Sequence, residues 1–328
     1  MLDGLDQVEW SRLRHAFGTA EDVPQLLRAL TSPSPDERRA AIGDLYGNIW
    51  HQGTIYEATP YAVPFLIELA ASDKTPSRYE ILIYLGTLAD GSSYIDVHKD
   101  VVAPSQEKLS EQLEVELGWV AQTRKLVKSG EALYLENLRA SEHTMCCAAA
   151  YVVSRFPEEG ERYWSALRAR YDDAEGDEPI QCGVAILSKE FSAKGTSDTQ
   201  WLLRTFKQEI RPSVRVALAV SLAVSDEQRR DDVLEFLTAN LLTDEHVEKG
   251  YHAQPWDCGE AVWDIVDALC ASTRGQRMLV SRFNKLLFQH APSGRLDYLR
   301  YLLQGRLKGE PIKSELVGPL RPLTVPND

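Results

Sequence analysis

Long apolar runs are missing from this sequence. No stretch reaches the about 18 consecutive apolar residues that a bilayer-crossing helix needs, so no membrane span is expected. The opening MLDGLDQVEW has neither the basic start nor the apolar stretch of a secretory signal, so export is not expected either. Cysteine is scarce: Cys146, Cys147, Cys182, Cys258 and Cys270 are an odd number, and none stands in a Cys-x-x-Cys pair. That usage speaks against a zinc or disulfide framework and fits a reducing, cytoplasmic setting. Each cysteine lies in or beside an apolar helical run and is expected as a small buried hydrophobe. Also missing are Gly-x-Gly-x-x-Gly, the Walker loop, Gly-x-Ser-x-Gly and His-Glu-x-x-His, so the common nucleotide, serine-hydrolase and zinc-protease signatures do not apply. The seven histidines are scattered. No cofactor, metal or catalytic set is expected.

Positive charge is in deficit as well. Lys and Arg number 36 against 49 Asp and Glu, a formal net charge of −13. Phosphate affinity comes from Lys and Arg, so a general nucleic-acid binder is disfavoured. The charge is uneven. Residues 231–267 hold ten acids and one base, Lys249; residues 274–321 hold ten bases and three acids, Asp297, Glu310 and Glu315. An acidic flank followed by a basic end is expected.

What the chain does have is repetition. It has 328 residues, 44% of them hydrophobic, enough to bury a sizeable core. The stretch DVPQLLRAL (22–30) recurs as AVPFLIELA (62–70), and SPDERRAAIGDLYGNIW (34–50) is followed by TPSRYEILIYLGTLA (75–89). Each unit reads as a helix pair. A Ser or Thr before Pro opens the first helix, because the hydroxyl caps free amides and Pro suits the first turn. Ala40, Ala41, Leu45 and Ile49 then mark one apolar face. So short a pair cannot bury both its apolar faces alone, but stacked on a neighbour it can.

The first helix carries Pro35, Arg38, Ala41 and Leu45. The second carries Val23-Pro24-Gln25-Leu26, repeated as Val63-Pro64-Phe65-Leu66. These patterns resemble the HEAT-repeat family. The His-Gln-Gly, Tyr, Ala-Thr and Ala-Val-Pro-Phe-Leu elements of residues 50–70 resemble bacterial HEAT-repeat proteins more narrowly. The resemblance is clear over residues 8–90 and degenerate afterwards. It implies an all-α fold, an α-solenoid of about seven HEAT-like helix pairs, and no one activity.

The expected organisation is regular repeats over 1–90, a polar loop over 91–108, irregular repeats continuing the same solenoid over 109–310, and a proline-rich tail over 311–328. First helices are expected near 141–156, 177–191 and 211–224, and second helices near 161–171, 199–209 and 231–242. A further pair covers 257–272 and 274–289, and a last helix 294–307. WSRLR before His15 suggests an N-terminal capping helix, and no alternating strand pattern is found.

Three places carry candidate chemistry. In the loop between helices, His51 and Glu57 could form an acid–base pair with Tyr56 orienting a ligand, and Gln52 stands beside them. The alternative, which the turn-forming Gly53 favours, is that His51, Gln52 and Thr54 satisfy free groups at helix ends while Tyr56 packs onto the neighbouring repeat. Second, Asp257, Glu260, Asp264 and Asp267 share one face at helical spacing, with Tyr251 and Trp256 just before them. They suggest a negative strip that receives a basic protein partner; a solvated outer face is the plain alternative. Third, the basic end could meet phosphates. Some alkylpurine DNA glycosylases are HEAT-like, but their site residues do not align with this chain. The other plain alternative is a charged cap on the last repeat.

The expectation is therefore a non-catalytic protein-interaction scaffold, with an immunity- or antitoxin-like protein as its narrower form. A HEAT-like DNA glycosylase is the runner-up.

Overall fold

The computed structural model describes residues 1–98, 106–225, 231–289 and 294–307. The tail read over 311–328 and part of the polar loop, 99–105, lie outside the described residues. The chain is mostly helical, with 17 α-helices among the described residues. It divides into two compact units, Met1–Phe156 and Pro157–Asp328. The expected division at the 91–108 loop thus lies inside the first of them.

The first unit begins with two short 3-10 turns and a hairpin, β1 (Arg14–His15) and β2 (Gly18–Thr19). His15 therefore sits on a strand, not on a capping helix. Next come α1 (Val23–Ala29) and α2 (Pro35–Asn48), then a second hairpin, β3 (Trp50–His51) and β4 (Thr54–Ile55). The unit is completed by α3 (Thr59–Ala71), α4 (Arg78–Ala89), α5 (Tyr94–His98), α6 (Gln106–Ser129), α7 (Glu131–Asn137) and α8 (His143–Ser154). Two-residue strands are too short to show alternation in sequence, so the hairpins were not legible there.

Local chemistry explains several ends. Ser34 caps α2 by accepting from the Glu37 amide, with Pro35 in the first turn. The expected Thr75 cap fails: α4 starts three residues later, after Ser77 adopts a left-handed φ of 51°. Pro64 lies inside α3 and removes the bond to the carbonyl one turn back, yet the helix continues. Arg124 of α6 closes two helix ends at once. It donates to the Ala89 carbonyl at 3.0 Å and to the Arg155 carbonyl at 2.7 Å, while its guanidinium stacks 4.5 Å from the Phe156 ring. The fully buried Tyr84 of α4 donates to the Leu45 carbonyl of α2 at 2.8 Å, tying the two helices together.

The second unit runs α9 (Gly160–Asp173), α10 (Glu178–Lys194), α11 (Thr199–Gln208), α12 (Pro212–Val224), α13 (Asp231–Ala239), α14 (Glu245–His252), α15 (Ala261–Cys270), α16 (Thr273–Gln289) and α17 (Gly294–Arg306). Its centre is α12, buried nearly all round, which packs on α10, α11, α13, α14 and α15. Its one charged residue, Arg215, lies between the Phe206 and Phe236 rings at 5.1 and 4.7 Å. Asp177, Asp198 and Asp244 cap α10, α11 and α14 through their carboxylates. Two short helices were not expected: α5, inside the presumed polar loop, and α14 (Glu245–His252), which holds Tyr251. Among the described residues no helix is long and apolar enough to cross a membrane. Cys146, Cys147, Cys182 and Cys270 are buried, Cys258 is half-buried, and all are free thiols.

Candidate functional site

The polar loop between α2 and α3 is a tight hairpin turn. Gln52 and Gly53 connect β3 to β4 with φ of 49° and 90°, so both turn residues are left-handed. That is the handedness two-residue hairpins use, because it matches strand twist. The outer edge of β4 is covered: the Ile55 amide donates to the Ser92 carbonyl at 2.9 Å, and the Ser92 amide to the Gly53 carbonyl at 2.8 Å. Thr59, fully buried, donates to the Ile49 carbonyl at 2.5 Å and accepts from the Tyr56 amide at 3.0 Å. It thereby joins the end of α2 to the start of α3. The expected role of satisfying free helix-end groups thus falls to Thr59.

The two hairpins meet. The Phe17 ring stands edge-on to the His51 imidazole, 5.2 Å between centroids. Glu57 accepts from the Arg14 amide at 3.2 Å, and the Ala58 amide donates to the Arg14 carbonyl at 3.0 Å. His15 is engaged on both nitrogens, with Asp22 at 3.0 Å from Nε2 and the Phe17 amide donating to Nδ1. Thr54 donates to the His51 carbonyl at 2.7 Å and lies 2.9 Å from the Tyr56 hydroxyl. Burial pushes the Tyr56 phenol up; the Thr54 contact opposes this, and the neighbouring Tyr94 and Glu116 add to it.

A cleft of about 570 Å³ opens between these hairpins, α5 and α6. His51, Tyr56 and Glu57 line it together with His15, Phe17, Tyr94, Glu116 and Trp119, while Gln52 is exposed at the turn tip. Among the described residues no hydrogen bond or ion pair joins His51 to Glu57, although both line the cleft. Glu116, 5% exposed, caps α5 by accepting from the Ser93 hydroxyl at 2.8 Å and the Ile95 amide at 3.0 Å. Sequence reasoning missed Phe17, Tyr94, Glu116 and Trp119. The one available signal was that His15-x-x-Gly18-Thr19 is an imperfect copy of His51-x-Gly53-Thr54.

The acidic strip in the second unit is broken up. α15 begins at Ala261, so Asp257 and Glu260 precede the helix instead of sharing its face. Tyr251 is 0% exposed and Trp256 8%, so neither is offered to a partner. The physical reason is α14, which turns Tyr251 inward beside Val247. Asp264 is also drawn in: Lys189 of α10 donates to it at 2.5 Å. Burial raises the Asp264 carboxyl, and Lys189 works against that rise. Asp267 is exposed and paired with Arg306. Asp257 and Glu260 remain exposed and outside any ion pair among the described residues. Trp263 is 39% exposed and its indole N–H donates to the Tyr298 hydroxyl.

The basic end partly neutralises this flank. Arg274 pairs with Asp231 and Arg306 with Asp267, Arg295 donates to the Thr243 carbonyl at 3.3 Å, and Arg300 lies 5.7 Å from the Phe283 ring. Lys308, Lys313 and Arg321 lie outside the described residues. Beside the flank a cleft of about 930 Å³ is walled by Leu241, Leu242, Val262 and Leu299, with Glu245, Glu260, His252 and Tyr298 also lining it. Glu248, another lining residue, caps α15 by accepting from the Ala261 amide at 3.1 Å.

Among the described residues no group of three or more His, Cys, Asp or Glu is placed to hold a metal ion. No protein-family model and no curated protein sequence matches the chain.

Proposed function

We propose that the protein is a HEAT-like repeat protein, its helix pairs stacked in solenoid fashion within each unit, that works by binding a protein with a basic contact surface. One observation carries this reading: the cleft beside α14 and α15 combines an apolar wall with three acids, Glu245, Glu248 and Glu260, against two bases, Lys249 and Arg295, at its lining, and Asp257 lies exposed nearby in sequence. Apolar floor with a charged rim is the usual anatomy of a protein interface, and rim charge chiefly sets association rate and partner choice. The binding surface is thus Asp257, Glu260 and the cleft wall, without Tyr251, Trp256 or Asp264. An immunity- or antitoxin-like role, covering a basic toxin, is the narrower form, supported by the charge alone. The glycosylase alternative draws less support, since Arg274 and Arg306 already serve carboxylates of the same unit.

The test is affinity capture with wild type beside a Glu245→Lys, Asp257→Lys, Glu260→Lys variant, followed by binding of the purified captured protein across a salt series. Wild-type binding that weakens with salt and is lost in the variant is the expected result. Equal binding by both proteins, or recovery of nucleic acid alone, would overturn it.

A further inference from the structure

We propose that the cleft between the two N-terminal hairpins, α5 and α6 is a binding site for an organic cation, an alkylammonium or guanidinium group. The site belongs to the first unit, and the acidic surface belongs to the second.

Two independent features point to positive charge. First, the cleft holds two carboxylates, Glu57 and Glu116, that lack a countercharge: among the described residues no Lys, Arg or His lies within ion-pair distance of either. Glu116 is 5% exposed, and a carboxylate taken out of water without a countercharge is costly. Their bonds leave acceptor capacity. Glu57 uses Oε2 for the Arg14 amide, and Glu116 uses Oε2 for Ser93 and Ile95, while Glu116 Oε1 has only the Gln112 amide at 3.4 Å.

Second, the walls are rings: Phe17, His51, Tyr56, Tyr94 and Trp119. Phe17 is 71% exposed and Tyr94 43%, with one face of the Tyr94 ring stacked on His98 at 4.2 Å between centroids. Ring faces attract cations through the quadrupole, more strongly where water is excluded, and aromatic cages use this to hold quaternary ammonium groups. A volume of about 570 Å³ suits a headgroup with a short carbon chain.

Competing ligands fit less well. An anion would face two carboxylates against the single guanidinium of Arg14. A neutral apolar ligand would bury Glu116 further without pairing it. A bare metal ion would lack a third ligand.

The cation could be a free small molecule or a Lys or Arg side chain of a protein, and one titration series separates these. Choline, its neutral isostere 3,3-dimethylbutan-1-ol, ethylguanidinium, a Lys-containing peptide and a Glu-containing control are titrated against the full chain by ligand-observed NMR. The cations are expected to bind about tenfold tighter than the neutral isostere, and Tyr94→Ala and Glu57→Gln each to weaken them about tenfold. Both substitutions are outside the core, so circular dichroism should be unchanged. A free cation matching the peptide assigns a small-molecule source, and a peptide preference assigns a protein side chain. Equal binding of the neutral isostere, no binding of any cation, or wild-type affinity in both folded variants would overturn the proposal.

Discussion

Lys189 Nζ donates to Asp264 Oδ1 at 2.5 Å, and this bond holds α15 to α10 across 75 residues of sequence. It converts a carboxylate spaced for a surface strip into an internal bracket. Asp264 Oδ2 is buried with no hydrogen-bond partner among the described residues, so the bracket is only half satisfied. Removing one partner of a buried pair costs more than the pair contributes, because the other charge is left alone. Lys189→Ala should therefore lower unfolding free energy by about 3 kcal/mol. Burial raises the Asp264 carboxyl and Lys189 restrains it, so the variant raises it further. A folded-state value above the unfolded one gives stability below the ordinary carboxylate range that is lost as pH rises through the folded value. The deficit measured by urea unfolding should thus be larger at pH 7 than at pH 4. A pH-independent deficit would refute this account.

Glu209 has the opposite sign. Burial alone would raise it. The Arg211 guanidinium and amide, joined by the Tyr171 hydroxyl, outweigh that and pull it down to about 2. Its side chain is 7% exposed, so little solvent screening intervenes. A depressed carboxylate contributes stability present above its unfolded value and lost as pH falls through its folded value. Here that window runs from about 4.5 to about 2, a contribution on the order of 3 kcal/mol at neutral pH. Glu209→Gln should lower stability at pH 7 and flatten the acid limb between those values. Parallel acid limbs in both proteins would count against it.

Gly91 passes so close to Ile55 that an added Cβ would overlap the Ile55 side chain. Gly91→Ala should cost about 1–3 kcal/mol by overpacking. Adding Ile55→Val should recover part of that loss, because it removes the opposing methyl. Thermal unfolding of the single and double variants checks this; an additive double loss would place the strain elsewhere.

Turn chemistry at Gln52 and Gly53 is testable on its own. Gly53→Ala places a Cβ at φ 90° and should cost about 1 kcal/mol. Gln52→Asn should gain a few tenths, since Asn tolerates the left-handed region better. Chemical denaturation resolves the two signs.

Tyr251 supplies a last prediction. Its hydroxyl is buried with no hydrogen-bond partner among the described residues, and burial drives the phenol well above its ordinary value. Removing an unpaired buried hydroxyl relieves desolvation, so Tyr251→Phe should be neutral or stabilising by about 1 kcal/mol. Partner binding should be unchanged, because the ring is inside. A loss of stability would show that the hydroxyl has a partner.

Periodicity and helix-start chemistry were legible in the sequence because both are local. The apolar spacing and the Ser34 cap act within a few residues of themselves, so α2, α8, α10, α11 and α12 lie where the pattern put them. The short elements α5, α14 and the two hairpins were not legible. Each has eight or fewer residues, too few for a period to repeat. The candidate sites divided in the same way. His51, Tyr56 and Glu57 are close in sequence and do share one cleft. Tyr94, Glu116 and Trp119 join them only through the packing of α5 and α6.

The helical character of the chain and the order of its main helices were thus determined by the sequence alone, through spacing that each segment carries in itself. Which acids face water was decided by tertiary structure. Asp264 and Asp267 have the same residue type and adjacent helical positions, yet one meets Lys189 inside and the other stays exposed beside Arg306. Burial depends on what the rest of the chain brings alongside, and no local pattern encodes a partner 75 residues away.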